Sequence, residues 1–140
     1  MRFPLFPLLL TVTSAAVLSD RQSDVCQQIA SSVAGPVYYP QDVLSDFYTD
    51  IDNYMTSSTQ TPMCVVEVTD DQDVSIVLQI VGETRTPFAV KSGGHASNPG
   101  FTSTTGVFIS LVQINQITLS ADKSSVEIGL GNVRFPPWQC

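Results

Sequence analysis

The sequence predicts an α+β domain in which a βαβ unit continues into an antiparallel meander. Three observations carry this reading. The run MCVVEV, residues 63–68, is brief and rich in β-branched side chains, which suit a pleated strand better than a helix. Directly after it, Val74, Val77, Leu78 and Val81 fall at i, i+3, i+4 and i+7, the spacing of one apolar helix face. Beyond that helix, PFAV, VFISL, QITLS and SVEIGLG are short strand-like runs separated by Gly, Ser, Asn and Asp.

Taken in order, the chain opens with MRFPLFPLLLTVTSAAVLS. One positive charge at Arg2, an apolar run and small residues at 14–16 make the layout of a secretory signal peptide. Pro4 and Pro7 fit poorly in a buried helix or strand, and the run is too short to span a membrane. Residues 1–19 are therefore expected to be cleaved and the product secreted, with no membrane partner. Next, SDVCQQIASSVAG predicts a helix with Val25, Ile29 and Val33 on one side, Ser23 as cap and Gly35-Pro36 as its end. Residues 37–61 scatter aromatic residues at 38, 39, 47, 48 and 54 among acids, and read as a segment laid over the core. Residues 20–61 thus form an N-terminal helix and covering segment, and 62–140 the main domain. Within that domain Thr69 or Asp70 can cap the helix, and Asp71 and Asp73 suit its positive end.

Composition limits the partners. The chain has 140 residues, 43% of them apolar, enough for one core and hardly two. Thirteen acidic against six basic residues give a net charge of −7, and no basic patch is present, so no nucleic acid partner is expected. Three cysteines, Cys26, Cys64 and Cys140, leave one unpaired in any pairing. Cys26 with Cys64 is the favoured disulfide, tying the first helix to the first core strand; two separately buried thiols are the alternative. No metal site is expected, because the cysteines lie far apart and there is one histidine.

The loop KSGGHASNPGFTSTTG, residues 91–106, follows the second strand. Gly93 and Gly94 let the backbone approach another group closely, and successive amides there can converge on phosphate oxygens. Ser92 adds a hydroxyl, and Lys91 or Arg85 adds positive potential. A plain Gly-rich turn would look similar. His95 can be a structural histidine, a general base, a metal ligand or a point of covalent attachment. No Gly-x-Ser-x-Gly pattern accompanies it to suggest a nucleophilic serine.

The stretch PFAVKSGGHASNPGFTSTTGVFISL resembles the flavin-binding segment of secreted fungal FAD-linked oxidases of the vanillyl-alcohol oxidase and p-cresol methylhydroxylase superfamily, close to the berberine-bridge-enzyme-like group. Cys26, TPMCVVEVTDDQDVSIVLQIV and QINQITLSADKSSVEIGLGN follow the same order and similar spacing. The resemblance implies the N-terminal half of the FAD-binding domain of that superfamily. It implies FAD as cofactor, held by Lys91, Ser92, Gly93, Gly94, His95, Asn98 and Gly100, with His95 bonded covalently to the flavin. It also supports the Cys26–Cys64 disulfide. The implied activity is that of an oxidase acting on an alcohol, a sugar or a secondary metabolite, a small molecule not specified by the sequence, with dioxygen as acceptor. No residue of this chain is implied as catalytic.

Departures from the pattern begin after Asn132. VRFPPWQC places two prolines where relatives begin a helix, and Arg134 where a tryptophan is common. Cys140 does not match the second flavin-linking cysteine of some relatives. The expectation is an N-terminal fragment of such an oxidase, with a non-catalytic secreted domain that retains the FAD-binding fold as the alternative.

Overall fold

In a computed structural model, residues 24–132 are described, apart from Pro99. The proposed signal peptide, the Ser23 cap, Cys140 and the divergent end after Asn132 lie outside the described residues. A four-stranded sheet forms the middle layer, in the order β1-β2-β4-β3, with β1 at Val37–Tyr38, β2 at Cys64–Glu67, β3 at Phe88–Lys91 and β4 at Val107–Ser110. Strands β2, β4 and β3 are parallel; β1 runs antiparallel to β2 through Val37↔Val66 and Tyr38↔Val65. Among the described residues, no helix is long and apolar enough to cross a membrane.

Period-2 alternation divides the strands between two cores. On one face, Cys64, Val66, Val107 and Ile109 pack against Val25, Cys26 and Ile29 of α1 (residues 24–30) and against Val77, Ile80 and Val81 of α3 (Asp71–Thr84). On the other, Val65, Phe108 and Ala89 enclose Phe47 and Ile51 of the short helix α2 (Phe47–Ile51). Phe47 is fully buried, a contribution of about 2–3 kcal/mol for a side chain of that size. The covering segment thus contributes its own core.

The βαβ unit forms as the sequence predicts. Asp70 caps α3, its carboxylate accepting from the amide of Asp73 at 2.8 Å. Leu78 is the exception on the predicted face: it is exposed, and Ile80 takes its place in the core. The disulfide Cys26–Cys64 is present. Helix α1 stops at residue 30, short of Gly35, where the amides of Ser32 and Val33 close onto the carbonyl of Ile29. Asp73 then secures the turn beyond α1: Oδ1 accepts from the amide of Ala34 at 2.8 Å, and Oδ2 from the amide of Gly35 at 3.1 Å and both donors of Thr69. Burial alone would raise the pKa of this carboxyl, but the bonds from Ala34, Thr69 and Gly35 together hold it below the usual carboxylate range.

One expected feature differs. VFISL does not begin a meander: β4 inserts between β2 and β3, parallel to both, with the register Val65↔Phe108 and Ala89↔Phe108. The cause is burial on both faces, which turns a strand into a continuous apolar run rather than an alternating one. The antiparallel part is the hairpin of β5 (Ile117–Leu119) and β6 (Val126–Ile128). Its pairs Ile117↔Ile128 and Leu119↔Val126 share one face, and all four side chains are about half exposed.

Candidate functional site

In open sheets of this kind, ligands gather outside the carboxyl ends of parallel strands, where successive connections leave on opposite faces. The helix α3 leaves β2 on one face. The loop of residues 92–106 leaves β3 and returns to β4 against the α2 side, where Asn53 donates to the carbonyl of Thr102 at 3.1 Å and accepts from its hydroxyl at 2.9 Å. Reversing the direction of travel along the sheet while keeping right-handed crossovers requires this change of face.

The loop begins tightly. Gly94 is buried at φ +67°, in the left-handed region, and a Cβ there would stand 2.7 Å from Cε of Lys91. Its carbonyl accepts from the amide of Tyr54 at 3.0 Å. Ser92 donates its hydroxyl to the carbonyl of Leu130, joining the loop to the turn that follows β6. None of the main-chain N–H groups of residues 92–97 donates to another described residue. Of these six residues only Gly94 is buried, so the amides of the others are open to solvent or to a ligand. Successive amides in a glycine turn can converge on an anion, and the missing Cβ atoms at Gly93 and Gly94 leave room for the His95 ring and the Lys91 side chain to pack against the turn. The residues therefore fit a pyrophosphate.

His95 is exposed and makes no hydrogen bond to another described residue. Its ring lies over Gly93, where an added Cβ would be 3.0 Å from Cε1 and 3.1 Å from Nδ1. Lys91 turns beneath the loop: its ammonium donates to the carbonyls of Asp50 at 2.6 Å and Asp52 at 2.5 Å, and burial lowers its pKa. Asn98 and Gly100 sit further along in an exposed turn, with φ +83° at Gly100 and the amide of Phe101 donating to the carbonyl of Asn98 at 3.3 Å. Arg85 takes no part: it is the left-handed cap of α3, at the opposite ends of the strands. An open cavity of about 540 Å³ lies there as well, lined by Met63, Arg85, Pro87 and Gly106, residues at or before the starts of β2, β3 and β4.

Sequence reasoning passed over a buried polar group under the loop. Ser110, at the end of β4, donates to Oδ1 of Asp50 at 2.8 Å. Glu67, its register partner in β2, is 2% exposed and accepts from the side-chain amide of Gln113. Asp50 itself is 6% exposed, and its Oδ2 has no hydrogen-bond donor. Its pKa is pushed up to about 6, first by burial and then by the nearby Glu67, against the lowering bond from Ser110. A signal was available: Glu67 stands two residues after Val65, and Ser110 two after Phe108, so alternation places both polar side chains on the face that α2 covers.

The chain is thus a mixed helix and sheet domain with a glycine loop open at the carboxyl end of a parallel strand. The particular family follows from comparison: residues 62–134 match the FAD binding domain family, and the chain belongs to it. It is 39% identical over 71 residues to an FAD-dependent monooxygenase of Aspergillus niger, covering 49% of this chain and 12% of that protein. A longer match, 31% identical over 127 residues, is to an uncharacterized FAD-linked oxidoreductase of Arthroderma benhamiae, covering 88% of this chain and 25% of that one. Among solved structures, 6-hydroxy-D-nicotine oxidase from Arthrobacter nicotinovorans superposes with a TM-score of 0.63 at 26% identity, over 70% of this chain and 21% of that one. A single-residue variant of berberine bridge enzyme gives 0.62 at 18% identity, over 78% and 24%, a likeness of fold. The chain spans between 12% and 25% of the length of these curated relatives. FAD is the cofactor of the family.

Proposed function

We propose that this chain is the FAD-anchoring part of a flavoprotein oxidoreductase, with the pyrophosphate held by the amides of residues 92–97. The observation that carries the reading is that run of six N–H groups without a described partner, at the carboxyl end of β3. Ser92, Gly93, Gly94 and His95 form the cradle, Asn98 and Gly100 shape the return of the loop, and Lys91 supplies positive potential from below. His95, exposed at the rim, is the residue positioned to bond to the flavin ring and fix it.

Bound FAD supplies acceptance of a hydride from a substrate carbon and its passage to dioxygen, with an alcohol, a sugar or a secondary metabolite as the substrate class. The chain's own residues bind and orient; the substrate site and any base belong to the further length that the relatives possess. Residues 1–19 act in this reading as an export signal, which puts Cys26 and Cys64 in an oxidising compartment. N-terminal sequencing of secreted material checks that point.

The deciding experiment is a visible spectrum of the purified chain before and after added FAD. Yellow colour that survives acid denaturation and disappears in His95→Ala supports the linked cofactor. Colour that is released by acid leaves the cradle and removes the covalent bond. A colourless protein that fails to take up FAD contradicts the proposal.

A further inference from the structure

We propose that Asp50 is a positioning residue for the glycine loop, holding a proton beside the buried Glu67 that keeps residues 50–54 seated on the sheet. The inference rests on the reading of that loop as the FAD cradle, and it starts from an orphan. Asp50 Oδ2 is buried with no donor, although the other oxygen accepts from Ser110 at 2.8 Å. An ionised carboxylate left so would carry an uncompensated cost, because buried charges need partners. The neighbouring acid is Glu67, 2% exposed, which stands opposite Ser110 in the β2–β4 register and so on the same buried face as Asp50. Two neighbouring carboxyls buried on one face disfavour each other's ionised form, which favours a proton on Asp50.

The charged and titratable groups facing the pair come from every neighbouring element. Tyr38 of β1 and Lys91 of β3 face it, with Asp46 and Asp52 flanking α2 acting on Tyr38 and Lys91 in turn, and Ser110 of β4 and Gln113 are neutral donors. Lys91 is the cation among them, but its ammonium points at the carbonyls of Asp50 and Asp52 rather than at the orphan oxygen. The proton is thus the natural partner of Oδ2. Its loss sets two anions against each other in the core and lifts the adjoining residues 51–54. That segment holds the loop at three points: the carbonyls of Asp50 and Asp52 on Lys91, Asn53 on Thr102, and the amide of Tyr54 on Gly94. Unseating it releases the backbone of residues 92–97 from the conformation these contacts hold.

The test is an NMR titration of the full chain from pH 4 to 8, following the Asp50 carboxyl carbon and the amides of Tyr54, Gly93 and Gly94. The expected result is one midpoint near 6 shared by the carboxyl and the amides. Asp50→Asn, which is neutral at every pH, removes the amide transition and keeps the low-pH amide shifts up to pH 8. Glu67→Gln, an independent variant, moves the Asp50 midpoint downward. A titration arising elsewhere would persist in Asp50→Asn, and that persistence overturns the proposal. So does an Asp50 midpoint in the ordinary carboxylate range, or a Gly94 amide that ignores it. None of these signals needs cofactor: a chain that shows the shared midpoint but takes up no FAD sinks the cradle and leaves the latch. Where FAD binds, affinity weakens several-fold above the midpoint in the parent chain and stays level in Asp50→Asn.

Discussion

Replacing Gly94 with alanine should cost far more than replacing Gly100, although both glycines have positive φ. An alanine in left-handed backbone costs about 1–2 kcal/mol through its Cβ and carbonyl contacts. At Gly100, with φ +83° and nothing within 4 Å of an added Cβ, that is the whole expected loss. At Gly94 the new Cβ meets Cε of Lys91 at 2.7 Å and Oδ1 of Asn53 at 3.3 Å. Lys91 must then leave the carbonyls of Asp50 and Asp52, and charge-assisted hydrogen bonds contribute about 1.5–3 kcal/mol. The total for Gly94→Ala is therefore about 2.5–5 kcal/mol. Gly82→Ala supplies the opposite control: it sits inside α3 with open space around it, and alanine should stabilise by about 0.5–1 kcal/mol. Urea unfolding of the three variants measures these differences directly. A double-mutant cycle with Lys91→Met isolates the steric part, because Gly94→Ala should cost about 2 kcal/mol less once the ammonium is gone. Equal losses at Gly94 and Gly100, or no coupling to Lys91, would refute the reasoning.

Further expectations come from the fold. Reduction of Cys26–Cys64, which closes a loop with a sequence separation of 38, should lower stability by about 4 kcal/mol in the chain-entropy picture, read from unfolding with and without reductant. Asp73→Asn should cost about 2 kcal/mol near neutrality, because the amide nitrogen cannot accept from Gly35 and Thr69. The pH profile should carry two opposing slopes. Asp73, with its pKa lowered, stabilises above the ordinary carboxyl value and loses that contribution as the pH falls through its folded value. Asp50 is raised from 3.8 to about 6, so its contribution is complete below 3.8 and is lost as the pH rises through 6. The difference is worth up to about 3 kcal/mol, and Asp50→Asn should flatten that arm of the unfolding free energy between pH 4 and 7.

How far the sequence reveals this molecule depends on whether each feature is local. Helix α3, its Asp70 cap and the hairpin follow from spacing and turn residues alone, and the glycine loop announces its own backbone freedom. Strand β4 was harder. Its run of buried residues has no alternation from which to read a neighbour or a direction, and the order β2-β4-β3 is set by which faces the helices cover. The covering segment hid its helix because α2 is five residues long and has no side-chain cap; the burial of Phe47 holds it in place. Lys91 shows the same limit at the site. Its position beside the glycines suggests a contact with phosphate, whereas the fold brings the carbonyls of Asp50 and Asp52, some forty residues away in sequence, to its ammonium. The acid pair beneath it joins α2 to β2, and no local pattern pairs them.

The central claim is that the unpaired amides after β3 receive the pyrophosphate of FAD. Amide chemical shifts of the isotopically labelled chain, recorded as FAD is added, test it most directly. The account predicts the largest changes at Ser92, Gly93, Gly94, His95, Ala96 and Ser97, with Gly94→Ala abolishing them. Saturable changes centred instead on the cavity near Arg85 and Pro87, or none at residues 92–97, would contradict it.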